Sequence, residues 1–196
     1  MNWKLKDILM VGIIGVLFSF VFLGANYLGA LLIAALTPFG LSALGYEPIY
    51  GLWFMAAIFA SYIIQKKGVG IVAEMIASLI EVLLGSMFGP MVFLTGFVQG
   101  FGCELGFIIT RYKRFDTLPI VLGSVFCAIF SYIENYFVYG YYMYSTSIVI
   151  AMVLIRIMSA IIFGLVAKAL ADGLAKAGVL RGYALGMKQA QPKEID

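Results

Sequence analysis

Long apolar stretches separated by short polar, glycine- or proline-bearing joints organise this chain. Six such stretches stand out, at residues 7–35, 49–64, 69–84, 90–112, 119–139 and 147–177. A bilayer core of ~30 Å is crossed by ~20 helical residues, so each stretch is read as one transmembrane helix. Pro38, Pro48, Pro90 and Pro119 fall at segment ends, where a missing N–H costs little. The first stretch is longer than one crossing needs, and Gly24, Asn26 and Gly29 interrupt it. It is either one tilted helix or a span followed by a short piece, 28–44, folded across one mouth of the bundle. Lys4 and Lys6 precede it as they would in a cleaved signal peptide, but an apolar run from Ile8 to Leu23 is long for that purpose and is read as a retained helix.

Composition strengthens the pattern. Hydrophobic residues make up 63% of the 196, charged residues only 12%, and mean hydropathy is +1.04. Soluble domains are nearer ~50% apolar and ~25% charged; a chain this apolar has too little polar surface to face water all round. The expectation is therefore an all-α integral membrane protein, a six-transmembrane-helix bundle forming one domain over residues 1–196.

Charge then orients it. Lys4 and Lys6 precede the first span, Lys66 and Lys67 separate the second from the third, and Arg111, Lys113 and Arg114 separate the fourth from the fifth. Lys168, Lys176, Arg181 and Lys188 end or follow the sixth. The remaining loops, 37–48, 85–89 and 140–146, carry neither Lys nor Arg. By the positive-inside rule both termini are cytoplasmic, in a bacterial inner membrane. No basic block with interleaved aromatics points to nucleic acid. The chain has no histidine, which argues against imidazole catalysis and most transition-metal sites; no cofactor or metal is expected. Cys103 and Cys127, inside apolar segments and without CxxC spacing, read as buried thiols.

Candidate chemistry lies in the polar groups inside spans, where each charged one costs ~3 kcal/mol on insertion scales. These are Glu74, Glu81, Gln99, Glu104, Glu134 and Arg156. At ~1.5 Å rise per residue, Glu81, Glu134 and Trp53 fall at similar depth in the outer half. Gln99, Arg156 and Glu74 fall near mid-membrane and Glu104 in the cytoplasmic half. Glu74, Ser78 and Glu81 share one helical face; Thr95, Gln99 and Cys103 form another, and Ser131, Glu134 and Asn135 cluster. Two readings stand for these groups: mutual pairing that holds the bundle, with Glu74 matching Arg156 by depth, or a cavity near Glu81 and Glu134, which lack a cation of their own and are either protonated or matched by a cationic ligand. Trp53 is a membrane-interface anchor or a stacking surface for a flat cation. Tyr139, Tyr141, Tyr142 and Tyr144 fit interfacial anchoring, with Tyr139 also a candidate ligand contact. Gly15 with Ser19, and Ala167, Ala171 and Ala175, have the small-xxx-small spacing of close helix packing, within the bundle or onto another membrane protein. Gly100-Phe-Gly102 with Gly106 imitates a dinucleotide fingerprint but lies within a span, and there is no GxxxxGK[ST] to hold ATP.

Three segments, Gly51-Leu-Trp-Phe-Met-Ala-Ala, Ala73-Glu74 through Glu81-Val-Leu-Leu-Gly-Ser86, and Gln99-Gly-Phe-Gly-Cys-Glu104, resemble in order the YkoE-type S components of energy-coupling factor (ECF) transporters. The resemblance covers most of the chain. It implies a six-helix bundle that binds a vitamin near the outer face, here thiamine or its hydroxymethylpyrimidine part. It also implies a membrane coupling subunit and two cytoplasmic ATPases as partners, consistent with the missing P-loop. Depth, face and residue type, rather than the resemblance, give the expected ligand-binding set: Trp53, Glu74, Ser78, Glu81, Gln99, Glu134 and Tyr139. The family's alanine-xxx-alanine docking motif on the first helix is replaced by Gly15-xxx-Ser19, the candidate partner-docking pair. The competing expectation is an autonomous proton-coupled carrier of an organic cation, with Glu74 or Glu104 as relay; no internal repeat supports it. An intramembrane enzyme is not expected, for want of metal ligands, a histidine base or an Asp-rich diphosphate motif.

Overall fold

The computed structural model describes residues 3–190. Seven α-helices lie among them, with no strand: α1 Leu5–Leu36, α2 Met55–Ile64, α3 Val69–Leu83, α4 Val92–Ile109, α5 Thr117–Val138, α6 Thr146–Lys176 and α7 Ala184–Ala190. Five helical segments are long and apolar enough to cross a membrane: Leu5–Phe39, Ser42–Ile64, Gly89–Ile109, Thr117–Val138 and Thr146–Lys176. The expected third span, α3, has only 15 residues, or ~22 Å of helix, short of a full hydrocarbon crossing.

The first stretch resolves in favour of a continuous helix. α1 runs unbroken to Leu36, and the chain then turns through short 3-10 pieces, Thr37–Phe39 and Ser42–Leu44, into an eight-residue 3-10 helix, Glu47–Phe54. Pro38 and Pro48 each sit in the first turn of such a piece, where the pre-set φ suits the turn and no N–H is wanted. The 3-10 helix passes into α2 without a break, so the second span is two helix types joined end to end.

α2 is the hub. All ten of its residues are buried, because α1, α3, α4, α5, α6 and α7 surround it. Its composition, MAAIFASYII, is apolar on every side, as a helix with no exposed face must be. Around it α4 lies between α3 and α5, α3 packs on α1, and α6 packs on α5 and on Glu47–Phe54. Glycine sets the closest approach. Gly102 and Gly106 on α4 and Gly123 on α5 face one another's backbones, so a Cβ at any of them would collide with main chain rather than with a movable side chain. At the far end from the 3-10 helix, α7 closes the bundle with buried Leu180 and Leu185 under α2. The Tyr183 hydroxyl donates to the Lys6 carbonyl (3.0 Å), and Lys6 donates to the Gly182 carbonyl.

The candidate docking pair is turned inward. Gly15 packs against Ile76 on α3 and Ser19 is fully buried, its hydroxyl donating to the Val16 carbonyl at 2.7 Å. Ala167, Ala171 and Ala175 are buried too. Both stripes lie against helices of this bundle.

Candidate functional site

Three residues per turn put Glu47, Tyr50 and Trp53 on one edge of the 3-10 helix. That edge points inward: the three are 0%, 8% and 6% exposed. The helix is held against α6 at Gly51, whose N–H donates to the Ser159 hydroxyl (2.9 Å) and whose missing side chain leaves room for the Ser159 and Ala160 backbone.

Glu47 receives Arg156 of α6 in a two-pronged ion pair, Nε to Oε2 and Nη2 to Oε1, both 2.7 Å, with neither side chain exposed. The guanidinium lies 3.6 Å from the Tyr50 ring centroid and 5.1 and 5.8 Å from those of Tyr132 and Tyr141. Asn135 completes the cage. With its amide oxygen toward Arg156 (3.2 and 3.3 Å) and the Tyr50 hydroxyl (2.8 Å), its nitrogen faces the Ser131 carbonyl (3.2 Å) and Glu134 Oε2 (2.5 Å). The expected pairing of Arg156 with Glu74 is thus replaced. A carboxylate from the connecting segment, outside any expected span, reaches in to neutralise the arginine, because two parallel charge-assisted bonds compensate desolvation better than one offset contact.

In front of this cage opens a cavity of about 240 Å³. Four expected ligand contacts line it: Trp53, Ser78, Gln99 and Tyr139. Further aromatic wall comes from Tyr46, Tyr50, Phe88, Tyr141 and Tyr144. Tyr46 meets Phe88 at 5.3 Å, Trp53 meets Tyr50 at 5.6 Å and Tyr46 at 6.0 Å, and Phe88 meets Tyr139 at 6.1 Å between ring centroids. These edge and tilted contacts fix the rings as rigid walls. Burial pushes the Tyr141 phenol, in the loop after α5, up to about 12.

The other three expected contacts stand one layer back. Glu81, fully buried, accepts from Asn26 (2.9 Å) and Ser86 (3.0 Å), and the Trp53 indole sits beside the same carboxylate, whose second oxygen makes no hydrogen bond among the described residues. Glu134 accepts from Thr95 (2.9 Å), and Thr95 lines the cavity. Glu74 serves α2 instead: its Oε2 accepts the Ala57 N–H at 2.8 Å, in the first turn after the 3-10 junction, where helix N–H groups need a cap. Glu81 and Glu134 thus flank the cavity through Trp53 and Thr95, while Glu74 is structural. Glu104 lies at the opposite end, bonded to the Gly68 N–H and the Tyr112 hydroxyl (both 2.5 Å).

Sequence reasoning missed Glu47, Tyr46, Tyr50 and Phe88. The first three carried a usable signal, the Pro-led segment Tyr46-Glu-Pro-Ile-Tyr50 before Trp53, whose period of three belongs to a 3-10 helix. Of the four tyrosines read as anchors, Tyr139, Tyr141 and Tyr144 face the cavity, whereas Tyr142 is 57% exposed.

Comparison with known proteins gives concordant matches. Residues 6–130 match a family described as the permease component of ABC-type cobalt transport systems. The putative HMP/thiamine permease protein YkoE of Bacillus subtilis (strain 168) is 40% identical over 186 residues, covering 94% of this chain and 91% of that protein. A crystal structure of an S component of an ECF transporter superposes with a TM-score of 0.90 at 39% identity, over 96% of this chain and 93% of that one.

Proposed function

This chain belongs with YkoE to the S components of ECF transporters, a substrate-binding membrane subunit and not an enzyme, and on that premise we propose that it captures thiamine or its hydroxymethylpyrimidine moiety from the outer face of the cell membrane. The carrying observation is the cavity itself: rigid aromatic walls at Tyr46, Trp53, Phe88 and Tyr139, with the carboxylates of Glu81 and Glu134 one layer behind. Thiamine is a pair of flat heteroaromatic rings, one permanently cationic. Aromatic faces attract such a ring through their quadrupoles, and buried carboxylates favour its charge. Gln99, Ser78 and Thr95 supply amide and hydroxyl groups to the pyrimidine edge. Trp53, Ser78, Gln99 and Tyr139 are the direct contacts in this reading; Glu81 and Glu134 act through the wall, and Glu74 by holding α2.

The cobalt in the family description finds no matching chemistry here. Among the described residues no three His, Cys, Asp or Glu side chains converge where a metal ion could sit, and the cavity wall offers rings and amides.

Orientation follows from the basic residues at the end opposite the cavity, Lys4, Lys6, Lys66, Lys67, Arg111, Lys113 and Arg114. That end faces the cytoplasm in this reading, with both termini, and the cavity opens outward. Without a P-loop, energy comes from partners: a membrane coupling subunit and two cytoplasmic ATPases.

Calorimetric titration of the purified, detergent-solubilised chain with thiamine, hydroxymethylpyrimidine and riboflavin tests the reading. Thiamine or hydroxymethylpyrimidine should bind one to one while the tricyclic riboflavin should not. Silence with all three would overturn the assignment.

A further inference from the structure

The charge layout around the cavity has a consequence for what the site refuses, resting on the reading of the cavity as a thiamine or hydroxymethylpyrimidine site. Both compounds have phosphate monoesters of the same ring chemistry, so a capture protein must either admit or reject a phosphate. Recognition of phosphate calls for a donor fork or a point cation, usually Arg or Lys. No Lys or Arg lines the cavity. One cation stands directly behind the wall: Arg156, touching the lining residues Tyr50, Tyr141 and Asn135.

Arg156 is not available to an anion. Glu47 takes Nε and Nη2 at 2.7 Å each, Asn135 faces Nη1 and Nη2, and Tyr50 covers the guanidinium face at 3.6 Å. The acids beside the cavity, Glu81 and Glu134, give a phosphate no positive charge to meet. A phosphate entering this cavity would shed its water and gain no cation in return.

We infer that Glu47 is the specificity-determining residue of this site: by closing Arg156 into a buried pair behind the wall, it makes the cavity accept neutral and cationic heteroaromatics and reject their phosphate monoesters. Its position fits that role. It is carried on the same 3-10 helix as the cavity residues Tyr50 and Trp53, three and six residues before them, so charge cancellation and wall are built by one element. Selectivity then comes from a withheld attraction rather than from a better contact with the accepted cargo.

The test is binding of thiamine and thiamine monophosphate, measured side by side for the wild-type chain, Glu47→Gln, and the double variant Glu47→Gln/Arg156→Gln. Wild type should prefer thiamine by at least ~100-fold, as expected for an uncompensated buried charge. Glu47→Gln leaves the arginine charge unmatched and should narrow that preference by ~10-fold or more through tighter monophosphate binding. The double variant removes both charges and should restore the preference; with Glu47→Asp, which retains the anion, it keeps the question answerable if Glu47→Gln fails to fold, since both should discriminate like wild type. Equal wild-type affinities for the two ligands, a folded Glu47→Gln with unchanged preference, or a double variant that accepts the monophosphate would each overturn the inference. If wild type binds neither ligand, the proposed cargo itself is wrong and this inference goes with it; if it binds thiamine and the monophosphate alike, only the inference falls.

Discussion

Both ends of this bundle bury one ion-paired carboxylate and hold others with neutral donors, but only one end does so beside the aromatic-walled cavity. At the cavity end Glu47 is matched by a fully enclosed arginine, while Glu81 and Glu134 are held by neutral donors, Asn26, Ser86 and Thr95, beside open space. At the other end Asp7 meets Lys66, and Glu104 meets the Gly68 N–H and the Tyr112 hydroxyl. Burial of acid is common to both and so does not mark a binding site. What distinguishes the cavity end is volume walled by rings beside Glu81 and Glu134.

The largest effect that would sharpen this contrast is at the ion pairs. Arg156→Gln leaves Glu47 buried without its partner and should cost ~3–5 kcal/mol, read as a large fall in the thermal midpoint in detergent. Lys66→Gln, whose partner pair is partly exposed at the lysine (19%), should cost no more than ~1 kcal/mol. Similar losses for the two would break the distinction between the ends.

Next come the wall-backing acids. Glu81→Gln and Glu134→Gln should each weaken thiamine ~10-fold, the scale of one charge acting across a buried layer, while leaving uncharged hydroxymethylpyrimidine within a few-fold. Parallel titrations check this, and equal weakening of both ligands would mean that shape rather than charge had been lost. Glu104→Gln should do the reverse: binding unchanged and stability lowered by ~1 kcal/mol through a weakened hydrogen-bond set.

The smallest effect is at Asp116, which caps α5 by accepting the Leu118 N–H (3.1 Å). Its bond from Arg114 holds its carboxyl below the ordinary value of 3.8. A group whose folded-state pKa is depressed stabilises above its unfolded value and loses that contribution as pH falls through the folded one. Asp116→Ala should therefore cost ~0.5–1 kcal/mol at pH 7 through the lost cap, and the difference from wild type should shrink below pH 3.8. A difference that persisted in acid would mean that the cap does not depend on the charge.

Much of this was legible in the sequence. Hydropathy placed every long helix to within a few residues, since apolar length is what a bilayer selects. Ser78, Gln99, Trp53 and Tyr139 were legible because polar or aromatic groups at compatible depth and face must share whatever space lies between their helices. The partner of Arg156 was not, because depth counting considers only residues within spans, and Glu47 lies in a connecting segment that folds back into the bundle. Gly15 and Ser19 show a second limit: small-residue spacing predicts close approach but not which helix approaches, and here the neighbour is α3. α3 itself, at 15 residues, has the apolar composition of a span without its length, and only packing between α1 and α4 explains where it sits.

The Glu47–Arg156 pair also joins two moments in the life of the chain. The residues are 109 positions apart, so during synthesis the acid is inserted well before its counter-ion exists. Until α6 arrives, the 3-10 helix holds a carboxylate with no arginine to meet it, and Gly51 has no Ser159 to lie against. The last long helix therefore does more than complete a set: its arrival turns an unfavourable residue into a fastener, making the finished wall of the cavity a record that the chain has been delivered through α6.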